Sequence, residues 1–289
     1  MNLLRGKPWL RLRRLFIGGA LLSAFVYSTT RTRAPVLPAG VRKEHLHLVL
    51  AGQDVSVTMY YPPRVTEAPL VVVAHGFTRT KRYMAGWGAL LAGHGFIVAV
   101  PTQPALADHA LNARVLAALP DELRSGRLAL LARPSQRAAL AGFSMGGLTT
   151  FLAMAQRPVD AWVGLDPVGM DESWLRVAGA VNAPCAILRG EPQAWNMSGN
   201  SRRLALALHG PKFVAKVRGA THLDPESPTD ILGQIACGRS DAKRRAIFES
   251  YTVAFLKAVL SDDVESRKIL AGAAGDGALA EVENSLRFE

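Results

Sequence analysis

Six consecutive residues, Gly142-Phe143-Ser144-Met145-Gly146-Gly147, carry the densest chemical signal in the chain. They fit G-x-S-x-G and lie between a strand-like apolar run (137–141) and a helix-like run that begins at Met145. At such a reversal from strand to helix, the serine is left at the apex with its hydroxyl exposed. Gly142 and Gly146, two positions to either side, keep side chains away from the point where strand and helix converge. The helix start below Ser144 also turns free N–H groups and the positive end of its dipole towards any oxyanion formed there. The chemistry this arrangement suits is attack of a serine on a carbonyl.

A serine hydroxyl is a weak nucleophile near neutral pH and needs a base, normally a histidine steadied by a carboxylate. Where the nucleophile sits on such a turn, the partners follow in the order serine, acid, histidine. Five of the seven histidines (His45, His47, His75, His94, His109) precede Ser144, which leaves His209 and His222. His209 closes an apolar helical run before Gly210-Pro211, a natural helix stop. His222 follows the strand-like run 213–217 through a short loop and is the candidate base. Five carboxylates lie between serine and histidine: Asp160, Asp166, Asp171, Glu172 and Glu191. Asp160 precedes its strand, at the wrong end of the sheet, and Asp171 and Glu172 lie deeper in a loop. Asp166 and Glu191 each close a strand, and spacing alone leaves both open as the acid. An oxyanion hole needs one N–H after the nucleophile, from Met145, and a second from the loop after the first long parallel strand (70–74), here Phe77, with Gly76 permitting close approach. His75 reads as a brace for that loop. No His, Cys, Asp or Glu cluster has ligand spacing, so neither a metal nor another cofactor is expected.

The elements needed to hold these residues are legible in the hydrophobic pattern. Two alternating runs, 45–50 and 55–61, separated by Ala-Gly-Gln-Asp, predict a hairpin. Short apolar runs at 70–74, 96–100, 138–143, 161–165, 186–188 and 213–217 then alternate with helix-length stretches at 83–92, 108–119, 145–156, 201–208 and 241–260. That alternation predicts a mostly parallel central sheet with an antiparallel N-terminal hairpin and helices on both faces. An Ala/Gly-rich link at 271–278 precedes a short stretch that reads as helix.

The chain has 289 residues, 49% of them hydrophobic, enough for one large core. Its net charge of +11 would suit nucleic acid, but residues 1–28 hold five Lys and Arg and no acid, so the remainder carries +6. No aromatic-basic interleaving marks a single-strand-binding face, and nucleic acid is not an expected partner. Residues 1–28, with Arg13-Arg14 before an apolar run of thirteen, read as an export signal, periplasmic or secreted. An uncleaved anchor is the alternative and would be the chain's one membrane contact. The organisation expected is signal or anchor 1–28, linker 29–41, catalytic domain 42–260, and a C-terminal tail 261–289 of no assigned role. In an oxidising compartment Cys185 and Cys237 could pair or stay free.

On His75-Gly76-Phe77-Thr78, the Gly142–Gly147 turn, Gly164-Leu165-Asp166-Pro167-Val168, Thr221-His222-Leu223-Asp224 and the closing Phe255-Leu256, the chain resembles the α/β-hydrolase superfamily over roughly residues 41–260. Within it, the chain is similar to the group of chlorophyllases, dienelactone-hydrolase-like esterases, platelet-activating-factor acetylhydrolases and bacterial cutinases or polyester hydrolases. The resemblance implies an α/β-hydrolase fold and a serine carboxylic-ester hydrolase with an acyl-enzyme intermediate, acting on small-molecule or lipid-like esters. The GLDPV segment is similar to the chlorophyllase segment that bears the triad acid, which favours Asp166 over Glu191. Met145 after the serine is as in the cutinase-like members, and nothing near 104–108 suits a tetrapyrrole. Phe77, Trp87, Trp174 and Trp195 are candidates for subsite walls or for plain core packing. A serine peptidase or an acyltransferase would use the same residues; a non-catalytic binding module would be expected to have lost one of them.

Overall fold

Runs of β-branched and small apolar residues pair side by side in the computed structural model, which describes residues 34–288. The export signal read at 1–28 lies outside the described residues. Along the chain the strands are β1 (Arg42–Leu50), β2 (Gln53–Tyr61), β3 (Glu67–Ala74), β4 (Ile97–Pro101), β5 (Arg133–Phe143), β6 (Ala161–Leu165), β7 (Cys185–Arg189), β8 (Lys212–Val217) and β9 (Leu279–Asn284). Across the sheet the order is β1-β2-β4-β3-β5-β6-β7-β8-β9. The hairpin β1–β2 joins β4 antiparallel, and β3 to β8 are parallel. This is the mostly parallel sheet with an antiparallel N-terminal hairpin that the hydrophobic alternation predicts, in the α/β-hydrolase arrangement that the resemblance implies.

Strand β3 shows why the central runs are continuously apolar. Val71 and Val73 pack into the core on one face, while Leu70, Val72 and Ala74 pack into the core on the other. A strand buried on both sides has no polar face to alternate with. Helices α1 (Ala85–Gly93) and α2 (His109–Arg124) flank β4, and α3 (Met145–Gln156) follows β5 without an intervening loop residue beyond Ser144. Next come α4 (Ser173–Ala178), α5 (Ser201–Ala207), α6 (Ile231–Cys237), α7 (Ala242–Leu260) and α8 (Val264–Gly272). Helix α7 starts where Asp241 caps it, its carboxylate accepting from the N–H groups of Lys243 and Arg244.

The sheet continues past Leu260, where the sequence reading ended the domain. The stretch read as a short helix after 271–278 is β9, paired antiparallel with β8. Leu279 turns into the core, while Glu281 and Glu283 reach Lys216, Arg189 and Lys212 across the strand. Leu, Ala and Glu favour helix by propensity, but β9 pairs with β8 across a register shift, with Glu281 at φ 50°, and that irregularity lets Leu279 face the core while Glu281 and Glu283 meet cations. No helix among the described residues is long and apolar enough to cross a membrane. Cys185, buried in β7, and Cys237 are both free thiols.

Candidate active site

The reversal from β5 into α3 is as tight as its glycines demand. A Cβ on Gly142 would lie 2.2 Å from the carbonyl oxygen of Gly146, and one on Gly146 would lie 2.4 Å from that of His75. Both positions must be bare for the turn to close. Between them Ser144 adopts φ 54°, ψ −124°, outside the regions that L residues prefer, at a cost on the order of 1–3 kcal/mol. Its neighbours hold it there: Ser144 N–H donates to Leu165 O at 3.1 Å, and Ser144 O accepts from Gly147 and Val168 N–H at 2.9 and 3.0 Å.

His222 arrives from the loop after β8. Asp224 folds that loop back on itself, its carboxylate accepting from Thr221 N–H (2.8 Å), Asp241 N–H (2.6 Å) and Arg244 Nε (2.6 Å). The ring of Phe143 packs on the imidazole with centroids 5.0 Å apart. His222 Nδ1–H donates to Asp166 Oδ2 at 2.6 Å, which leaves Nε2, 2.9 Å from Ser144 Oγ, to accept in the neutral ring. All three side chains are buried.

Asp166 stands one residue past β6 in a left-handed turn, φ 42°. Its other oxygen accepts from Gly190 N–H at 2.9 Å, and Oδ2 also accepts from Asn196 Nδ2 at 3.1 Å. Glu191, one residue further past the end of β7, points elsewhere: Oε1 accepts from Gly219 N–H at 3.0 Å and Oε2 pairs with Lys216 Nζ at 3.0 Å. Of the two strand-end carboxylates left open by spacing, Asp166 is the one that meets His222. Asp160 accepts from Ala138 N–H at the opposite end of the sheet, and His209 is exposed.

Phe77 and Met145 flank a cavity of about 310 Å³ that opens beside the serine. Among the described residues neither N–H has a hydrogen-bond partner. His75 braces the loop that carries Phe77: Nδ1–H donates to Gly76 O at 2.9 Å, and Nε2 accepts from Gln103 N–H at 3.0 Å. Complete burial drives its imidazole down to about 4, against the pull of the Gly76 carbonyl, so the ring is neutral. Trp87 and Trp174 belong to the two cores, Trp195 is half-exposed, and of the four aromatic candidates only Phe77 lines the cavity. No cluster of metal-ligating side chains occurs among the described residues.

Sequence reasoning missed Gln193 and Asn196. Asn196 bridges Asp166 Oδ2 to the carbonyl of Glu191, while its own oxygen accepts from Gln193 and Gly199 N–H. Gln193 Oε1 accepts from the backbone N–H of His222 at 3.2 Å. Their three-residue spacing, which resembles a capping box, is the local signal that could have drawn notice.

The profile of the PET hydrolase-like family matches residues 34–202, a stretch that holds Ser144, Asp166 and Glu191 and ends before His222. Cutinase 2 of Thermobifida cellulosilytica is 28% identical over 235 residues, 78% of this chain and 81% of that protein. Cutinase 1 of the same organism is 28% identical over 255 residues, covering 85% and 89%. Bis(hydroxyethyl) terephthalate hydrolase of Streptomyces coelicolor is 28% identical over 227 residues, covering 74% and 64%. Among the groups that the sequence resembles, these matches fall on the polyester hydrolases. The chain belongs to the PET hydrolase-like family of α/β-hydrolases and is a serine ester hydrolase.

Proposed function

We propose that the protein hydrolyses carboxylic esters through a Ser144–His222–Asp166 triad and a covalent acyl-enzyme. The observation that carries this reading is the unbroken hydrogen-bond chain from Ser144 Oγ through His222 to Asp166. His222 Nε2 takes the Ser144 proton as Oγ attacks the ester carbonyl, and Asp166 holds the ring in the required tautomer and stabilises the imidazolium. The oxyanion of the tetrahedral intermediate is met by the N–H groups of Phe77 and Met145. Collapse breaks the bond to the alkoxide, which leaves with the proton from His222. Water then gives its proton to His222, attacks the acyl-enzyme and releases the acid, returning the proton to Ser144. The open cavity beside Phe77 and Met145 suits the acyl or alcohol part of a small or lipid-like ester, and the cutinase relatives favour polyester chains among the substrates. Residues 1–28 serve as an export leader in this reading, with the ester-hydrolysing domain acting outside the cytoplasm.

A fluorophosphonate should label Ser144 and abolish turnover of p-nitrophenyl butyrate, and Ser144→Ala should abolish both labelling and turnover. Retained turnover in a folded Ser144→Ala variant would sink the proposal. The mass of the exported protein reports whether the leader has been removed.

A further inference from the structure

The loop after β3, which carries Phe77, and the loop after β8, which carries His222, belong to strands far apart in the sheet. A backbone N–H donor such as that of Phe77 is placed by its loop, so beyond the braces within each loop, contacts between the two loops bear on their register. Such contacts converge on Arg79, two residues after Phe77. Arg79 Nε donates to Glu226 Oε2 at 2.8 Å and Nη1 to Asp230 Oδ2 at 3.0 Å. Tyr83 OH donates to the same Asp230 oxygen at 2.6 Å, and the guanidinium stacks 4.4 Å over the Tyr83 ring. Around this core, Ser227 N–H donates to Tyr83 O, Gly86 N–H to Ser227 O, and Trp87 Nε1 to Pro225 O at 2.6–2.9 Å.

The Glu226 side chain is fully buried and that of Arg79 is 15% exposed. Burial pushes the Glu226 carboxyl up to about 8 against the pull of Arg79, so a guanidinium set on two carboxyl groups is an expensive way to join two loops where apolar contacts would serve. What the contact adds is direction. Glu226 lies four residues after His222, and its planar partner lies two residues after Phe77, so the clamp ties the two loops together a few residues from the groups that must act together.

We propose that Arg79 and Glu226 are positioning residues, the buried hydrogen bond from the Arg79 guanidinium to Glu226 holding the Phe77 loop and the His222 loop in register. This inference rests on the triad and oxyanion roles proposed above. Arg79 also lines the cavity, so the cleaner probe is Glu226, which has no access to substrate.

The test compares wild type with Glu226→Gln, using p-nitrophenyl butyrate turnover and the rate of fluorophosphonate labelling at a temperature where circular dichroism shows both folded. A misplacement on the order of 1 Å costs up to about 100-fold, so kcat and labelling rate should fall together by roughly 10- to 100-fold, with KM within about twofold. A role confined to stability would lower Tm and leave kcat and labelling of the folded enzyme as they were, and that result would overturn the proposal. If Glu226→Gln does not fold, Asp230→Asn removes the other arm of the clamp and should give the same split, smaller in size; an unchanged kcat there overturns it equally. A wild type that resists labelling would bring down the triad reading and this inference together. A wild type that labels as fast as the variant removes only the inference.

Discussion

The ends of β6 and β7 are neighbours in the sheet and present the same chemistry, a carboxylate just past the last strand residue, yet the two side chains do unlike things. Asp166 turns through a left-handed residue, is fully buried, and accepts from His222, Asn196 and Gly190. Glu191 stays in the rim, its side chain 36% exposed, and spends its longer arm on Lys216 and the Gly219 N–H. Its backbone still serves the site, since Glu191 N–H donates to Ala220 O at 2.8 Å, two residues before His222. One strand end therefore grips the imidazole and the other steadies the loop that delivers it. Position at a strand's C-terminal end is a requirement for a triad acid, but the turn after the strand and the length of the side chain decide which carboxylate reaches the histidine.

The sharpest way to break this contrast is to neutralise each carboxylate in turn. Asp166→Asn should lower kcat on p-nitrophenyl butyrate by roughly 10⁴-fold, because an amide cannot hold the His222 tautomer or balance the imidazolium. Glu191→Gln should leave kcat within about threefold, as expected for a half-exposed ion pair. Collapse of the second variant with survival of the first would reverse the assignment.

What the sequence discloses divides along the same line. The elbow is legible because its glycines answer a steric demand, a Cβ at Gly142 or Gly146 striking a carbonyl at 2.2 or 2.4 Å, and such demands are written in residue type. His222 is legible by chain order. The choice between Asp166 and Glu191 is not settled by spacing, since it turns on the φ of one residue and on Lys216, which lies 25 residues beyond Glu191 in the chain. Gln193 and Asn196 escape notice because their partners, Asp166 and His222, are remote in sequence. Strand β9 escapes because Leu, Ala and Glu favour helix locally, while what makes it an edge strand, the pairing with β8 and the cations on β7 and β8, is remote in sequence.

A smaller effect should follow from the residue that joins the two strand ends. Asn196→Ala removes the donor to Asp166 Oδ2 and the tie to Glu191 O, leaving the carboxylate with one fewer partner. The loss of one hydrogen bond to a charged group corresponds to about tenfold in kcat. A variant with wild-type kcat would mean that Asn196 only closes its own loop.

The smallest effect should come from the rim carboxylate, and it should appear in stability. Burial works against the Glu191 charge, but the Gly219 N–H and Lys216 outweigh it, so its folded pKa lies below the ordinary 4.5. Above pH 4.5 the carboxylate is charged whether the chain is folded or not, and its contribution to stability is present in full. As pH falls from there through the lower folded value, the unfolded chain takes up the proton first and the contribution is lost. With solvent screening the pair is worth under about 1 kcal/mol, so Glu191→Gln should lower the urea midpoint slightly at neutral pH. The difference should vanish in acid once pH has fallen through the lowered folded value, and shrink in 1 M salt, where the screening length is about 3 Å. A deficit that persists through acid and salt would mean that Glu191 acts by packing and not by charge. In that case the ends of β6 and β7 would differ less in electrostatics than in how tightly each closes the sheet.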